Sequence, residues 1–495
     1  MVNMLKVILW GEEVGRLVWD DGRKMSYFTY NPSFVQKGID VSPLWASIRN
    51  NRGLMPIWGE EQRLYQKLPA FLADSLPDSW GNQLFELWRQ RNHLSNTEIS
   101  PLDKLSFIGK RGMGALEFIP EYERQKKNEK IDVKSLVDLA ERIFTEREEA
   151  QILPKESITM QSLLAVGTSA GGRQPKAIIA INPKNGEIRS GQISNLDEYD
   201  YYLLKFGNSE YNSAELEMTF YELAIKAGIN MMHSEFLTVD GSRHFMTKRF
   251  DRVKGKKLHT QTLAAMWPEA NSYEQLVSIC RKLHLPETDC IEVYRRMIFN
   301  ILANNTDDHN KNFSFVMDER GIWRLAPAYD ITYILNMGGV QPNQDHCMFV
   351  RAKLRNITKE DVLQFASDNG IRKPESIIRE VRDSLLQFRM VALKNAVDEK
   401  WIGRIEATIL SHLKDWNEYK RPIVSQATEI EGHQVIDVHI AQAYKGNFHL
   451  YAKIDGKDRK FVVSKNKEEF LLIEKIGIAN LTEKQLLGMV KKYLL

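Results

Sequence analysis

The sequence is poor in the features that would take it out of an ordinary globular class. It has only three cysteines, Cys280, Cys290 and Cys347. None sits in a CxxC pair, and an odd count is a poor disulfide framework, so a stapled scaffold is excluded and a reducing cytoplasm is the simplest home. No stretch approaches the roughly 18 apolar residues that a spanning helix needs. The apolar run from Val7 to Trp10 is far too short for the core of a secretory signal. An excess of one charge is also missing. Lys plus Arg number 68 and Asp plus Glu 65, and a net charge of +3 makes no case for nucleic-acid binding by bulk electrostatics. Internal repeats and low-complexity tracts are absent. The expectation is a cytoplasmic protein without membrane association.

What is present is a balanced chain of 495 residues, 43% hydrophobic and 27% charged. That is enough apolar material for several cores, and the length suggests about two to four domains. Residues 1–120 mix short strands (Leu5 to Trp10, Gly15 to Trp19, Met25 to Phe28) with a helix around Trp80 to Asn92, opened by Pro77-Asp78-Ser79. The charge-dense stretch from Glu123 to Lys134 reads as a solvated linker. Within residues 121–255, glycine-rich turns alternate with strands at Ala177 to Ile181, Tyr201 to Phe206, Glu235 to Val239 and His244 to Lys248. A helix from Asn212 or Ser213 to Ala227 is stopped by Gly228. Residues 256–420 read as mainly helical, with one helix over Ile291 to Ala303 and another opened by the capping box Thr358-x-x-Asp361 and closed by Gly370. Residues 425–495 read as a small appended domain. Its strands turn at Asp455-Gly456, and Thr482-x-x-Gln485 opens a last helix.

Three constellations carry chemistry. The first is Asp307-Asp308-His309-Asn310-Lys311-Asn312, followed by Asp330. An isolated Asp here is as readily a turn cap, but the spaced set suits phosphoryl transfer. One carboxylate accepts a hydroxyl proton or orients the nucleophile, while an amide oxygen and a second carboxylate hold Mg²⁺. A hairpin of Phe313 to Met317 and Trp323 to Ala326, turned at Asp318 to Gly321, is expected to bring Asp330 back beside Asn312. His309 stands alone and reads as structural. The second is Gly167-Thr168-Ser169-Ala170-Gly171-Gly172-Arg173-Gln174-Pro175-Lys176, running into a strand. Glycines let backbone N–H groups approach phosphates. The segment fails as a Walker A loop, since Arg173 and Gln174 replace the Lys and Ser/Thr and a strand follows in place of a helix. The third is Lys205 at a strand end, twelve residues before Glu217 in the next helix, the order in which protein kinases pair a strand Lys with a helix Glu.

On these residues the chain resembles the HipA family of toxin kinases. Leu76-Pro77-Asp78-Ser79, Leu105 to Gly109 and Gly114 to Phe118 are similar to that family's N-terminal module. Lys248-Arg249-Phe250-Asp251-Arg252 is similar to its hinge motif, with Lys248 in place of an acid. Asp307-x-His309-x-Lys311-Asn312 and Tyr329-Asp330 resemble its catalytic and metal motifs. The resemblance implies an α+β, two-lobed, phosphatidylinositol-kinase-like core: an N-terminal module at 1–120, an N-lobe at 121–255, a helical C-lobe at 256–420 and the appendage at 425–495. It implies ATP and Mg²⁺ as cofactors, Asp307 as catalytic base, and Asn312 and Asp330 as Mg²⁺ ligands. Nucleotide contacts are implied for Ala170, Gly171, Gly172, Arg173, Gln174, Pro175 and Lys176, and for Lys205, Lys248, Arg249, Phe250, His309, Lys311, Asn312 and Tyr329. Ser169, seven residues before Lys176, has the spacing of the family's autophosphorylated serine. The implied partners are a protein substrate of the aminoacyl-tRNA synthetase or translation-factor class and a helix-turn-helix antitoxin of HipB type, with DNA reached only through it. The family's His-Gln-Glu-Asp segment stands here as His259-Thr260-Gln261-Thr262, without either acid, which bears on substrate choice. A silent ATP-binding member of a repressor complex and a nucleotidyl transferase are the rival readings. Residues from about 425 have no counterpart in the resemblance.

Overall fold

Alternation buries Leu5, Val7 and Leu9 on one face of β1 (Met4–Leu9) and Ser26, Phe28 and Tyr30 on one face of β3 (Met25–Tyr30), while β2 (Glu12–Asp20), between them, buries Val14, Gly15 and Leu17. With β4 (Leu116–Ile119) they make an antiparallel sheet in the order β3-β2-β1-β4. Gly15 is required in β2, because a Cβ there would lie 2.3 Å from the Thr29 carbonyl oxygen and 2.6 Å from the Phe28 ring. The computed structural model describes residues 2–50, 53–55, 63–94, 96–122, 131–146, 162–164, 174–191, 197–334, 345–418, 426–442, 448–465, 467–478 and 481–494.

The helix expected near Trp80 is α1 (Ser79–Arg91), capped by the Asp78 carboxylate accepting from the Gly81 N–H at 2.6 Å. Its apolar stripe of Trp80, Leu84, Phe85 and Trp88 does not stay within the N-terminal unit. It packs with Ala177 and Ile179 of β5 (Lys176–Ile181) and with Tyr202 and Leu204 of β7 (Asp200–Lys205). The Trp80 indole also donates to the Lys176 carbonyl at 3.0 Å. The division expected near residue 120 is therefore no division of the core. Part of the expected solvated linker, residues 123–130, lies outside the described residues. Just beyond it, α3 (Val133–Glu146) buries Leu136, Leu139, Ala140 and Ile143 in the same cluster. α2 (Pro101–Ile108) completes the N-terminal unit.

β5 and β7 belong to a five-stranded antiparallel sheet in the order β6-β5-β7-β9-β8, with β6 at Ile188–Ser190, β8 at Ser234–Val239 and β9 at Ser242–Lys248. The β5–β7 register sets Lys176 directly opposite Lys205. α4 (Ser213–Lys226) follows β7 and ends before Gly228, whose φ of +79° fits the left-handed stop read from the sequence. Leu216, Phe220 and Leu223 of α4 join the core of the helical half, where α5 (Tyr273–Lys282) and α6 (Glu287–Ala303) also pack. A small sheet of β10 (His259–Thr262), β11 (Ser314–Met317) and β12 (Trp323–Leu325) sits at the mouth of that half. Beyond it, α7 (Lys359–Asp368) carries the expected capping box, and α8 (Pro374–Leu385), α9 (Phe388–Lys394) and α10 (Glu399–Asp415) close the bundle.

The last segment is a meander of β13 (Thr428–Ile430), β14 (His433–Gln442), β15 (Phe448–Ile454) and β16 (Lys457–Val463), backed by α11 (Glu468–Ile476) and α12 (Glu483–Leu494). It has a core of its own, including Val435, Leu450, Ile473 and Leu486. Asp455 and Gly456 form the β15–β16 turn with φ of 49° and 76°, the two positive values that a primed two-residue hairpin requires. Among the described residues, no helix is long and apolar enough to cross a membrane.

Trp80 is 1% exposed and joins two sequence-distant units. Trp80→Ala is expected to cost about 3–5 kcal/mol, read as a lowered midpoint of urea unfolding. Val462→Ala, on a residue 51% exposed, is the control and should move that midpoint by less than about 0.5 kcal/mol.

Candidate active site

The site grows from the end of α6. Asn304 takes φ +57°, its N–H bonds the Ile301 carbonyl at 3.4 Å, and the Asn305 N–H bonds the Asn300 carbonyl at 2.9 Å. This is a Schellman stop, which an Asn tolerates in place of Gly. The chain leaves the helix there and is pinned by Asp308, 1% exposed. Asp308 Oδ1 accepts from the Cys347 N–H at 2.7 Å. Its Oδ2 accepts from the Tyr273 hydroxyl at 2.8 Å and lies 3.1 Å from His346 Nδ1. With Asp308 turned inward, its neighbour Asp307 is left at the surface, its side chain 56% exposed and 3.8 Å from His309 Nε2. His309 Nδ1 accepts from the Lys311 N–H and starts a single 3₁₀ turn, Asn310–Asn312. The Asn312 amide donates to the Asp307 carbonyl at 2.7 Å, which leaves its oxygen as the acceptor end.

The hairpin of β11 and β12 then returns the chain. The Tyr329 hydroxyl bonds the Lys311 carbonyl at 2.8 Å and Ser314 Oγ at 2.5 Å, which ties the strand exit to the 3₁₀ turn. Asp330 follows in the left-handed region at φ +53°. It shares a small cavity with Asn300, Asn305, Asp308, Asn312 and Tyr329. From the other half of the molecule, Lys205 Nζ reaches Asp330 Oδ1 at 2.6 Å and Glu217 Oε2 at 2.5 Å. Burial alone would push the Lys205 ammonium down, but Asp330 and Glu217 outweigh it and hold it above its ordinary value. Burial likewise opposes ionisation of Asp330. The ammonium groups of Lys205 and Lys176 prevail and keep its carboxyl below the usual range. Lys176, 3% exposed, lies 3.7 Å from Asp78 Oδ2, and burial lowers it against that pull.

Of the residues singled out in sequence, Asp307, Lys311, Asn312, Tyr329 and Asp330 come together through the bonds above, with Lys205 and Glu217 beside them. Phe250 stacks on Tyr329 at 5.7 Å. Lys248 pairs with Asp200 at 2.6 Å. Arg249 departs from expectation. Its side chain is fully buried and clamps Asp251 through two bonds at 2.6 and 2.7 Å, so only its backbone is left to face a nucleotide. Gln174 donates to the Phe206 carbonyl at 2.9 Å, and the Pro175 carbonyl accepts from the Phe206 N–H. Ser169, Ala170, Gly171, Gly172 and Arg173 lie outside the described residues. His259 and Gln261 are both fully buried and turned toward the Val41 carbonyl, and Thr262 is held by the Asp74 carboxylate at 2.6 and 2.8 Å.

Sequence reasoning missed the ring of groups behind Asp308. Tyr273 lies 35 residues before it and His346 lies 38 after it, and no periodicity links them. It also missed Asp78 as the partner of Lys176. The oxygen-bearing side chains lining the cavity include the carboxylates Asp308 and Asp330 and the amides Asn300, Asn305 and Asn312, and the buried Asn305 Oδ1 has no hydrogen-bond partner among the described residues. Hard oxygens of this kind fit Mg²⁺. Among the described residues no cluster of three or more His, Cys, Asp or Glu could hold a metal, so a cation here would rely on phosphate oxygens as well.

The fold and this site define a two-lobed α+β protein of the HipA class. Residues 5–119 match the HipA N-terminal domain and residues 168–388 the HipA-like C-terminal domain. The chain belongs to the HipA family. It is 22% identical over 425 residues to Y4mE of Sinorhizobium fredii, covering 80% of this chain and 95% of that one. It is 26% identical over 203 residues to a Haemophilus influenzae protein, covering 36% and 57%. Both relatives are named provisionally as kinases. The fold matches a HipA structure from Shewanella oneidensis, solved as a toxin–antitoxin complex with HipB and operator DNA. The TM-score is 0.59 at 18% identity, over 83% of this chain and 97% of that one.

Lys205→Met would leave Glu217 and Asp330 facing each other without their cation. The expected cost is about 3–5 kcal/mol, read by urea unfolding; the double change Lys205→Met with Glu217→Leu should cost less. A second expectation concerns His259, whose burial lowers its pKa from 6.5 to about 4. A depressed histidine is neutral in the fold and takes up its proton on unfolding. Its stabilisation is therefore whole above pH 6.5 and fades as the pH falls toward 4, by about 3 kcal/mol at most. His259→Gln should flatten the pH dependence of the unfolding midpoint in that window.

Proposed function

We propose that this chain is an ATP- and Mg²⁺-dependent serine/threonine protein kinase of the HipA type. The observation that carries the reading is the Lys205 ammonium, bonded at once to Glu217 on the helix beside it and to Asp330 from the opposite lobe. A strand lysine, a helix glutamate and a metal-binding aspartate in that arrangement are the positioning parts of a phosphoryl-transfer site.

In this reading the Asp307 carboxylate, exposed at the rim of the site, accepts the proton of a seryl or threonyl hydroxyl. The hydroxyl oxygen bonds the γ-phosphorus, the bond from that phosphorus to the β-phosphate oxygen breaks, and ADP leaves. Lys205 and Lys176, opposed across β5 and β7, supply positive charge for the phosphates. Asn312 and Asp330 would hold Mg²⁺, which would supply positive charge against the transferring phosphate. Phe250, stacked on Tyr329, and the backbone of residues 248–250 form the base-binding edge. Ser169 is the site of autophosphorylation, and the substrate is a protein of the translation machinery, of the aminoacyl-tRNA synthetase class. A small helix-turn-helix protein of HipB type is the partner, with DNA contacted through it. The resemblance of the fold to a HipA taken from a complex with HipB and DNA supports that partner.

The test uses purified full-length chain with γ-labelled ATP and Mg²⁺. Asp307→Ala is expected to lower transfer by about 10²–10⁴-fold while nucleotide binding persists. Intact-mass analysis should find the mass of phosphate, with peptides mapping to Ser169. Undiminished transfer by the variant overturns the base assignment, and a nucleotide-sized adduct overturns phosphoryl transfer in favour of nucleotidyl transfer.

A further inference from the structure

Asn305 is 2% exposed, and its Oδ1 is buried with no hydrogen-bond partner among the described residues. Buried polar atoms are nearly always bonded, so an exception calls for a missing occupant. The orientation of this amide is fixed by a relay. The Asp308 carboxylate only accepts, so the Tyr273 hydroxyl must donate to it, at 2.8 Å. Tyr273 oxygen is then an acceptor, and Asn300 must turn its Nδ2 to it, at 3.0 Å. That presents Asn300 Oδ1 to Asn305, which answers with its own Nδ2 at 3.0 Å. A flipped Asn305 would set two oxygens face to face. Its Oδ1 is therefore turned away from Asn300, and Asn305 lines a small cavity together with Asn312 and Asp330.

We infer that Asn305 is a positioning residue for the divalent cation, acting through one water held in this cavity. The inference rests on the proposed kinase reading, which gives Asn312 and Asp330 their role as ligands. Oδ1 accepts only, so the occupant must donate, and a water does so while turning its oxygen lone pair toward a cation. The cavity has room for about one water, and Asn305, Asn312 and Asp330 are the lining residues whose oxygens would partner it. Mg²⁺ keeps several waters when protein ligands are few. Such an outer contact orients the cation's shell, and losing one typically weakens metal binding by about 10–100-fold.

The experiment is a Mn²⁺ titration of the full chain with a non-hydrolysable ATP analogue, read by electron paramagnetic resonance. Asn305→Ala should raise the Mn²⁺ dissociation constant about tenfold or more. Asn305→Asp keeps an acceptor oxygen and exchanges the donor to Asn300 for a second oxygen, and its added negative charge favours the cation, so its Mn²⁺ affinity should equal or exceed that of the wild type. A purely structural role through Asn300 predicts the reverse, with Asp as damaging as Ala. Asn305→Ala binding Mn²⁺ as the wild type does, or Asn305→Asp binding it as poorly as Ala, overturns the inference and leaves the kinase reading standing. Wild type that takes up no Mn²⁺ beside nucleotide overturns both. Should the alanine variant not fold, the aspartate variant alone decides.

Discussion

The Lys205 ammonium holds this protein's working geometry together. It leaves β7 nearly buried and meets two carboxylates, one on the helix of its own lobe and one at the mouth of the other. Two acids facing each other in a poorly hydrated crevice would repel, and one of them would take up a proton. With the cation between them the acids hold still, and the lobes are pinned at a fixed spacing. The left-handed turn at Asp330, the Tyr329 bonds to Lys311 and Ser314 and the Schellman exit from α6 all serve to deliver one oxygen to that nitrogen.

Around that centre the N-terminal unit is built into the site and is no lid on it. Asp78 caps α1 and also faces Lys176, while the Trp80 indole bonds the Lys176 carbonyl. Asp74 holds both polar groups of Thr262. Asp251, fully buried, takes the Gly114 N–H together with Arg249 and Arg252, and those ion pairs outweigh its burial and hold its carboxyl well below the usual range. Gly114 allows this approach because a Cβ at its φ of +75° would lie 2.5 Å from Thr260 Oγ1.

Much of this was legible in the sequence where the signal was local. The short strands between residues 5 and 28, the stop at Gly228, the capping boxes at Thr358 and Thr482 and the turn at Asp455-Gly456 each depend on a few adjacent residues, and each formed close to where it was read. The return of Asp330 to Asn312 was legible too, because a hairpin of known length fixes where its end must fall. What escaped was non-local or masked by charge. α3 has apolar residues at 133, 136, 139, 140 and 143, a plain helical spacing, but the charged stretch before it drew the reading toward a linker. The pairing of the Arg249 guanidinium with Asp251 is visible only in the fold. The Asp308 network joins residues that no period connects.

The clasp at Asp251 and Gly114 sets how this chain can be divided. A fragment beginning beyond residue 120 would keep every group assigned to chemistry, yet lose the indole over β5, the carboxylate beside Lys176 and the amide that quiets Asp251.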